Sequence, residues 1–290
     1  MKIALYSKNV SREDVDFLSY VVKFLENKHH EILIHRHFGD YFPSLPTFCN
    51  HLSLKEQTVD FLFSLGGDGT LLDTASIVGD LEIPIVGINT GRIGFLTNIN
   101  KKDFEEACAM LQRGLFVIEE RALLHLECEK LSNGSCFALN DITVHSSNSS
   151  YLSTIKVWIE GQKVNTYWGD GLIIATPTGS TAYSLSCGGP IILPSTNVNV
   201  ITPIASHSLS VRPIVVSADK EITLTIEGRN EYFVLTYDSH RVELPNATTI
   251  KISKETFAIK TVRLDSTDFF SVIREKLMWG LDKRNEIEER

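Results

Sequence analysis

Two short stretches carry the residue types that chemistry needs. The first is Leu65-Gly66-Gly67-Asp68-Gly69-Thr70, which follows the apolar run Phe61-Leu62-Phe63 and precedes apolar residues at helical spacing over 71–78. Glycines between a strand end and a helix start lie where an open parallel sheet binds ligands. They let the backbone turn sharply and approach a ligand, and successive N–H groups at a helix N-terminus favour an anion, phosphate above all. Asp68 is the anomaly, because a carboxylate repels phosphate unless it takes a proton or bonds a hydroxyl or a metal. It reads either as the base acting on an acceptor hydroxyl in a kinase loop, or as the cap of the next helix in a tight turn. The spacing is neither Gly-x-x-x-x-Gly-Lys-Ser/Thr nor Gly-x-Gly-x-x-Gly, so the loop alone does not choose.

The second stretch runs over 169–190. The apolar strand Leu172-Ile173-Ile174-Ala175 lies between Asp170, flanked by Gly169 and Gly171, and the turn Thr176-Pro177-Thr178-Gly179-Ser180-Thr181-Ala182-Tyr183-Ser184. Small residues such as Thr181, Ala182 and Ser186 leave room for a flat ring, and Tyr183 offers a stacking face and a hydroxyl. So many hydroxyls and glycines in a row point to a ligand site rather than to packing.

Elements of two kinds must hold these stretches. The first hundred-odd residues alternate strand and helix. Strands are expected at Lys2-Ile3-Ala4-Leu5-Tyr6, at Glu31-Ile32-Leu33-Ile34, before the glycine loop and at 83–89. A first helix is capped by Ser11, with Asp14 completing a capping box, and buries Val15, Leu18, Val22 and Leu25. Another, over 103–112, buries Phe104, Cys108 and Leu111 and stops at Gly114, while the Pro-containing segment 41–47 reads as a surface loop. That grammar predicts a Rossmann-like, mainly parallel, doubly wound sheet.

Beyond Phe116 alternation replaces helical period, as in Ile155-Lys156-Val157-Trp158-Ile159 and Ile222-Thr223-Leu224-Thr225-Ile226, with turns at Glu160-Gly161 and Gly228-Arg229. An all-β, sandwich-like domain is expected there. Helical spacing returns over 271–281 with Phe269, Ile273, Leu277 and Leu281, and that helix should pack back on the first domain. The expected division is 1–116 with 265–290, and 117–264, the last residues 283–290 forming a charged tail.

The bulk properties bound the function. With 290 residues, 43% hydrophobic and 22% charged, the chain reads as a soluble globular protein of one large or two ordinary domains. A net charge of −8 argues against a general nucleic-acid or anionic-membrane binder. The start enters a strand directly, without the pattern of a signal peptide, and no run is long enough to span a bilayer. Five cysteines without C-x-x-C spacing fit a reduced, cytoplasmic compartment. His29-His30 and His35-x-His37 lack an accompanying Cys or carboxylate cluster, so no metal site is expected, although His35 and His37 should share a strand face.

Together with Gly87-Ile88-Asn89-Thr90-Gly91-Arg92-Ile93-Gly94-Phe95-Leu96, Leu139-Asn140-Asp141 and Ile201-Thr202-Pro203-Ile204-Ala205-Ser206-His207, the two stretches resemble the NAD kinase (ATP-NAD kinase) family along the whole chain. The glycine loop is shared with diacylglycerol and sphingosine kinases and more loosely with 6-phosphofructokinases, whereas 176–189 is far more specific. The resemblance implies phosphorylation of the adenosine ribose 2′-hydroxyl of NAD by ATP, with Mg²⁺ or another divalent cation, to give NADP. Polyphosphate is an alternative donor. It implies that Asp68 is the general base, in one loop with Gly67, Gly69 and Thr70, and that Phe95 is an apolar wall against adenine. Asn140 and Asp141 match the pair that holds the substrate. Asp170, Thr181, Ala182, Tyr183, Ser186 and Ala205 match nucleoside-binding positions, and Asp238 and His240 a late, variable element of the site.

Two departures stand out. Many members have Glu where this chain has the shorter Asp141, and several have a basic residue where it has Trp168. Arg92 is a further candidate phosphate contact. The family is usually dimeric or tetrameric, so a homo-oligomer is implied, with no nucleic-acid or membrane partner. A lipid or sphingoid-base kinase would want an apolar channel in place of the hydroxyls of 169–190. A non-catalytic NAD(P) sensor would bind more easily without Asp68.

Overall fold

Runs that are apolar at nearly every position become strands covered on both faces. The structure, a computed structural model, describes residues 1–8, 12–91, 94–97, 99–131, 135–147, 152–228, 231–264 and 268–279. It divides into two compact units, Met1–Glu119 with Ile259–Arg290, and Glu120–Ala258.

In the first unit the strand order is Thr47–Phe48, Glu31–His35, Lys2–Tyr6, Phe61–Leu65, Ile85–Asn89, Ile259–Leu264, Phe116–Arg121, with Ile99–Asn100 also paired to Ile85–Asn89. The pairings Lys2–Tyr6 with Glu31–His35 and with Phe61–Leu65, and Phe61–Leu65 with Ile85–Asn89, are parallel. The order reverses between Lys2–Tyr6 and Phe61–Leu65, so the glycine loop leaves the sheet at its switch point. Phe17, Leu18, Val21 and Leu25 of the helix Arg12–Asn27 and Phe104, Cys108 and Leu111 of Phe104–Gln112 cover it in one core.

The second compact unit ends at Ala258, and Ile259–Leu264 pairs in parallel with Ile85–Asn89, Thr261 opposite Ile85. The first unit's leading segment runs to Glu119, and the strand Phe116–Arg121 is paired in that unit's sheet. Several expectations need correction here. The segment before residue 48 is not all loop, since Thr47–Phe48 adds a short strand. His37 does not share a strand face with His35: the strand ends at His35 and Arg36–Phe38 turns as a 3-10 helix, bringing the two Nδ1 atoms together. The last helix spans Phe269–Leu277 and lies in the first unit; Asp68 draws on its Lys276 electrostatically. Asp268 caps it, its carboxylate accepting from the N–H groups of Phe270 and Ser271. Ser11, Arg92, Arg229, Leu281 and the tail 283–290 lie outside the described residues.

The second unit holds two six-stranded antiparallel sheets. One runs Ile214–Ser217, Val198–Ile204, Gly171–Ala175, Asp141–Ser146, Tyr232–Tyr237, His240–Pro245. The other runs Gln162–Gly169, Ser153–Ile159, Ile222–Glu227, Thr249–Lys254, Leu124–Glu127, Ser135–Ala138. Their inward residues, among them Ile142, Leu172 and Leu235 from one and Ile155, Leu224 and Ile250 from the other, form one core. Glu160 and Gly161 both have positive φ, 49° and 75°, the two-residue turn whose twist suits a hairpin. Helical backbone does occur within this unit, as the short turns Thr178–Thr181 and Tyr183–Ser186, too brief to leave a period in the sequence. Among the described residues no helix is long and apolar enough to cross a membrane.

Leu172 is fully buried where the two sheets meet. Leu172→Ala is expected to cost about 2–5 kcal/mol through the cavity it leaves. A urea titration followed by circular dichroism reads this as a lower midpoint, and an unchanged midpoint would contradict the packing.

Candidate functional site

Each unit carries one cluster of the residues singled out above. In the first, the chain leaves Phe61–Leu65, turns through Gly66 and Gly67, and enters the helix Asp68–Val78. Gly66 is required by space, since a Cβ there would lie 2.3 Å from Thr70 Oγ1. Gly67 and Gly69 differ: a Cβ on either would meet nothing, and both are exposed. Packing gives no reason for glycine at those two positions, whereas a closely approaching ligand does.

Gly67 is the helix N-cap, and no side chain caps the helix. The reading of Asp68 as a mere cap therefore fails. Its carboxylate turns instead to the segment that follows Ile85–Asn89. Oδ2 accepts from the N–H of Phe95 at 2.8 Å; Oδ1 accepts from the N–H of Leu96 at 3.1 Å, the N–H of Thr97 at 3.0 Å and Thr97 Oγ1 at 3.1 Å. Gly94 makes room for this, because a Cβ there would lie 1.8 Å from Asp68 Oδ1. Behind it Asn89 Nδ2 donates to Thr97 Oγ1 at 2.9 Å, and Asn89 Oδ1 accepts from the N–H of Gly91 at 2.7 Å. One turn along the same helix, Asp73 pairs with Lys8 at 2.9 Å. Burial and that carboxylate push the Tyr6 hydroxyl up to about 12.

In the second unit the corner Leu139-Asn140-Asp141 leads into the strand Asp141–Ser146. Asp238, in left-handed backbone at φ 48°, accepts from the N–H groups of Leu139 and Asn140 at 2.7 Å each and of Asp141 at 3.4 Å. From the other side Thr176 Oγ1 donates to Leu139 O at 2.6 Å and accepts from the N–H of Gly179 at 3.0 Å, while the N–H of Thr176 donates to Asn140 O at 2.9 Å. A Cβ on Gly179 would lie 2.0 Å from Asn140 O, so only glycine lets the turn and corner touch. Asp170 is exposed, and its N–H donates to Ile204 O at 3.0 Å, which sets it beside Ala205. His240 is exposed and stacks on Tyr237 at 4.9 Å.

The hydroxyl run divides in two. Thr176, Ser180 and Ser184 are buried and bonded inside the fold, Ser180 to Pro177 O and the N–H of Ile192, Ser184 to Thr202. Tyr183 and Ser186 are exposed, with Thr181 and Ala182 half-buried. The structure thus gathers Asn140, Asp141, Thr181, Ala182, Tyr183, Ser186, Asp170, Ala205, Asp238 and His240 in the second unit, and Gly67, Asp68, Gly69, Thr70 and Phe95 in the first. Sequence reasoning missed what Gly94, Thr97 and Asn89 do around Asp68, and what Thr176 and Gly179 do around Asn140. Trp168, at the position of a missing basic residue, is more than half exposed, and its carbonyl accepts from the N–H of His207 at 2.9 Å.

Comparison with known proteins points the same way for the whole chain. Residues 10–116 match the family model described as ATP-NAD kinase N-terminal domain, and residues 139–264 that described as ATP-NAD kinase C-terminal domain. The chain is 39% identical to an NAD kinase of Cytophaga hutchinsonii and 40% identical to one of Bacteroides fragilis, each over 98% of this chain and 100% of the relative. Among solved structures it is similar to yeast NADH kinase complexed with NADH, with a TM-score of 0.87 and 25% identity over 97% of this chain and 88% of that one. It is also similar to an NAD kinase from Archaeoglobus fulgidus in complex with ATP, with a TM-score of 0.76 and 25% identity over 96% of this chain and 99% of that one.

Asp141 titrates abnormally. Burial pushes its carboxyl from 3.8 up to about 6, with the Thr143 hydroxyl at 3.1 Å pulling it back and Asp238 adding to the rise. The folded chain thus holds this proton more tightly than the unfolded chain. The cost of burying the charge is absent below about pH 4 and fully present above about pH 6. Relative to Asp141→Asn, the wild-type urea midpoint is expected to fall as pH rises through that window. A difference that stays flat with pH would contradict it.

Proposed function

The chain belongs to the ATP-NAD kinase family, and from that premise we propose how its own residues move a phosphoryl group from ATP to the adenosine ribose 2′-hydroxyl of NAD. The observation that carries the reading is the Asp68 carboxylate, bonded to the backbone of 95–97 and flanked by two glycines with open space above them. A ribose hydroxyl is a poor nucleophile near neutral pH. A fixed carboxylate orients it and takes its proton as the oxygen bonds to the γ-phosphorus. The bond between that phosphorus and the β,γ-bridging oxygen breaks, giving ADP and NADP. Oδ2, which takes one donor among the described residues, is the atom assigned to the proton.

The N–H groups of the glycine loop bind the phosphates, and Lys276 adds positive charge near Asp68. A divalent cation bound to the triphosphate offsets its negative charge during transfer. Among the described residues no three His, Cys, Asp or Glu side chains gather around a point. On the family resemblance we assign the cation to the phosphoryl donor, whether ATP or polyphosphate.

In the second unit, Asn140 is half-buried and its side-chain amide has no hydrogen-bond partner among the described residues, which leaves it available to the substrate. Tyr183, about half exposed, supplies the stacking face for adenine. Five free cysteines suit a reducing cytoplasm. A homo-oligomer rests on the family resemblance.

Asp68→Asn keeps the shape and removes the basicity. It should lower turnover in an NADP-formation assay by roughly 10²- to 10⁴-fold with NAD affinity nearly intact. Near-wild-type turnover would end the base assignment. Tyr183→Ala should weaken NAD binding by roughly 1–3 kcal/mol in calorimetry, the range for base–aromatic stacking, and unchanged affinity would remove adenine from that ring.

A further inference from the structure

The bonds behind Asp68 have a fixed direction. Asn89 is 2% exposed and Thr97 fully buried, so neither side chain exchanges its partners with water. The N–H of Gly91 can only donate, which fixes Asn89 Oδ1 toward it and turns Nδ2 toward Thr97. Nδ2 can only donate, so it fills an acceptor site on Thr97 Oγ1. The single hydroxyl proton of Thr97 is then committed to the acceptor that remains, Asp68 Oδ1 at 3.1 Å.

From this directed chain we propose that Thr97, oriented by Asn89, is a positioning residue for the phosphoryl transfer. It turns Asp68 so that Oδ1 is held and Oδ2 faces the acceptor hydroxyl. The inference rests on the reading of Asp68 as the base. Oδ1 takes three donors and Oδ2 one among the described residues, an asymmetry that distinguishes the two oxygens before any substrate arrives. The Thr97 hydroxyl is the one side-chain donor of the four; the others are backbone and survive any substitution that keeps the loop. Among the described residues the charged group acting on Asp68 from another element is Lys276, on the helix Phe269–Leu277, and on its own helix Asp73 is paired with Lys8.

The test is the pH profile of kcat/KM for NAD in Thr97→Val, Thr97→Ser and Asn89→Asp, with Asp68→Asn in the same assay. Thr97→Val keeps the size and removes the donor. Its acidic limb is expected to move up by about one pH unit, the effect of one lost hydrogen bond to a charged group. Its kcat should fall about tenfold with little change in KM, as for a misaimed group. Thr97→Ser should restore both. Asn89→Asp leaves Thr97 in place but offers its proton a competing carboxylate, so the same limb should move the same way even if Thr97→Val does not fold. A purely structural Thr97 would lower the melting temperature and leave the limb in place, and that result overturns the proposal. If Asp68→Asn keeps its turnover, the reading of Asp68 as base has failed instead. An inactive Asp68→Asn beside unshifted profiles means that the positioning alone has failed.

Discussion

The first unit's site depends on one contact, a carboxylate received by consecutive backbone N–H groups. Asp68 opens a helix, yet its side chain bonds to a segment 27 to 29 residues away. Bonds of this kind involve an ion and are roughly twice as strong as neutral ones. They tie the helix start to the loop after Ile85–Asn89, and neighbouring residues are selected to permit it. Gly94 has no Cβ because the carboxylate occupies that space, and Gly66 has none because Thr70 does. Thr97 closes the cradle with a hydroxyl and Asn89 closes Thr97. Gly67 and Gly69 are left free of packing demands, at the carboxyl edge of the sheet where a ligand meets backbone.

The second unit reaches the same solution independently. Asp238 collects the N–H groups of Leu139, Asn140 and Asp141, and left-handed backbone at Asp238 itself aims it there. Burial raises its proton affinity, and the three backbone donors offset that rise only in part. The three backbone bonds make the group a structural clamp. Asp238 thus shapes the Asn140 corner from behind. Thr176 and Gly179 shape it from the other side, one by bonding Leu139 O and the other by having no side chain.

The class of each unit was legible because burial on both faces and burial on one face leave different periods, continuous in Phe61-Leu62-Phe63 and alternating in Ile155-Lys156-Val157-Trp158-Ile159. That Ile259–Leu264 joins the parallel sheet was not legible, because an alternating six-residue strand reads the same whether its partners are parallel or antiparallel. The unusual placement of Asp68 among glycines was legible, and its neighbours were not. Thr97 lies 29 residues on, and nothing local marks a threonine whose proton serves a distant acid. The hydroxyls of 176–186 misled in part for a related reason: Ser180 and Ser184 bond inside the fold, and composition does not separate an inward hydroxyl from an outward one.

The shorter acid at position 141 follows from the strand it begins. Residues two apart on a strand face the same side, so Asp141 and Thr143 point together, and the hydroxyl donates to the carboxylate at 3.1 Å. A side chain one methylene longer would carry the carboxylate past that hydroxyl. With Asp the group stays inside, about nine-tenths buried, and its charge is disfavoured by the burial and by Asp238. The corner therefore presents Asn140 outward and keeps Asp141 behind it. An outward neutral amide can donate to one oxygen and accept from another without placing a second negative charge at the corner.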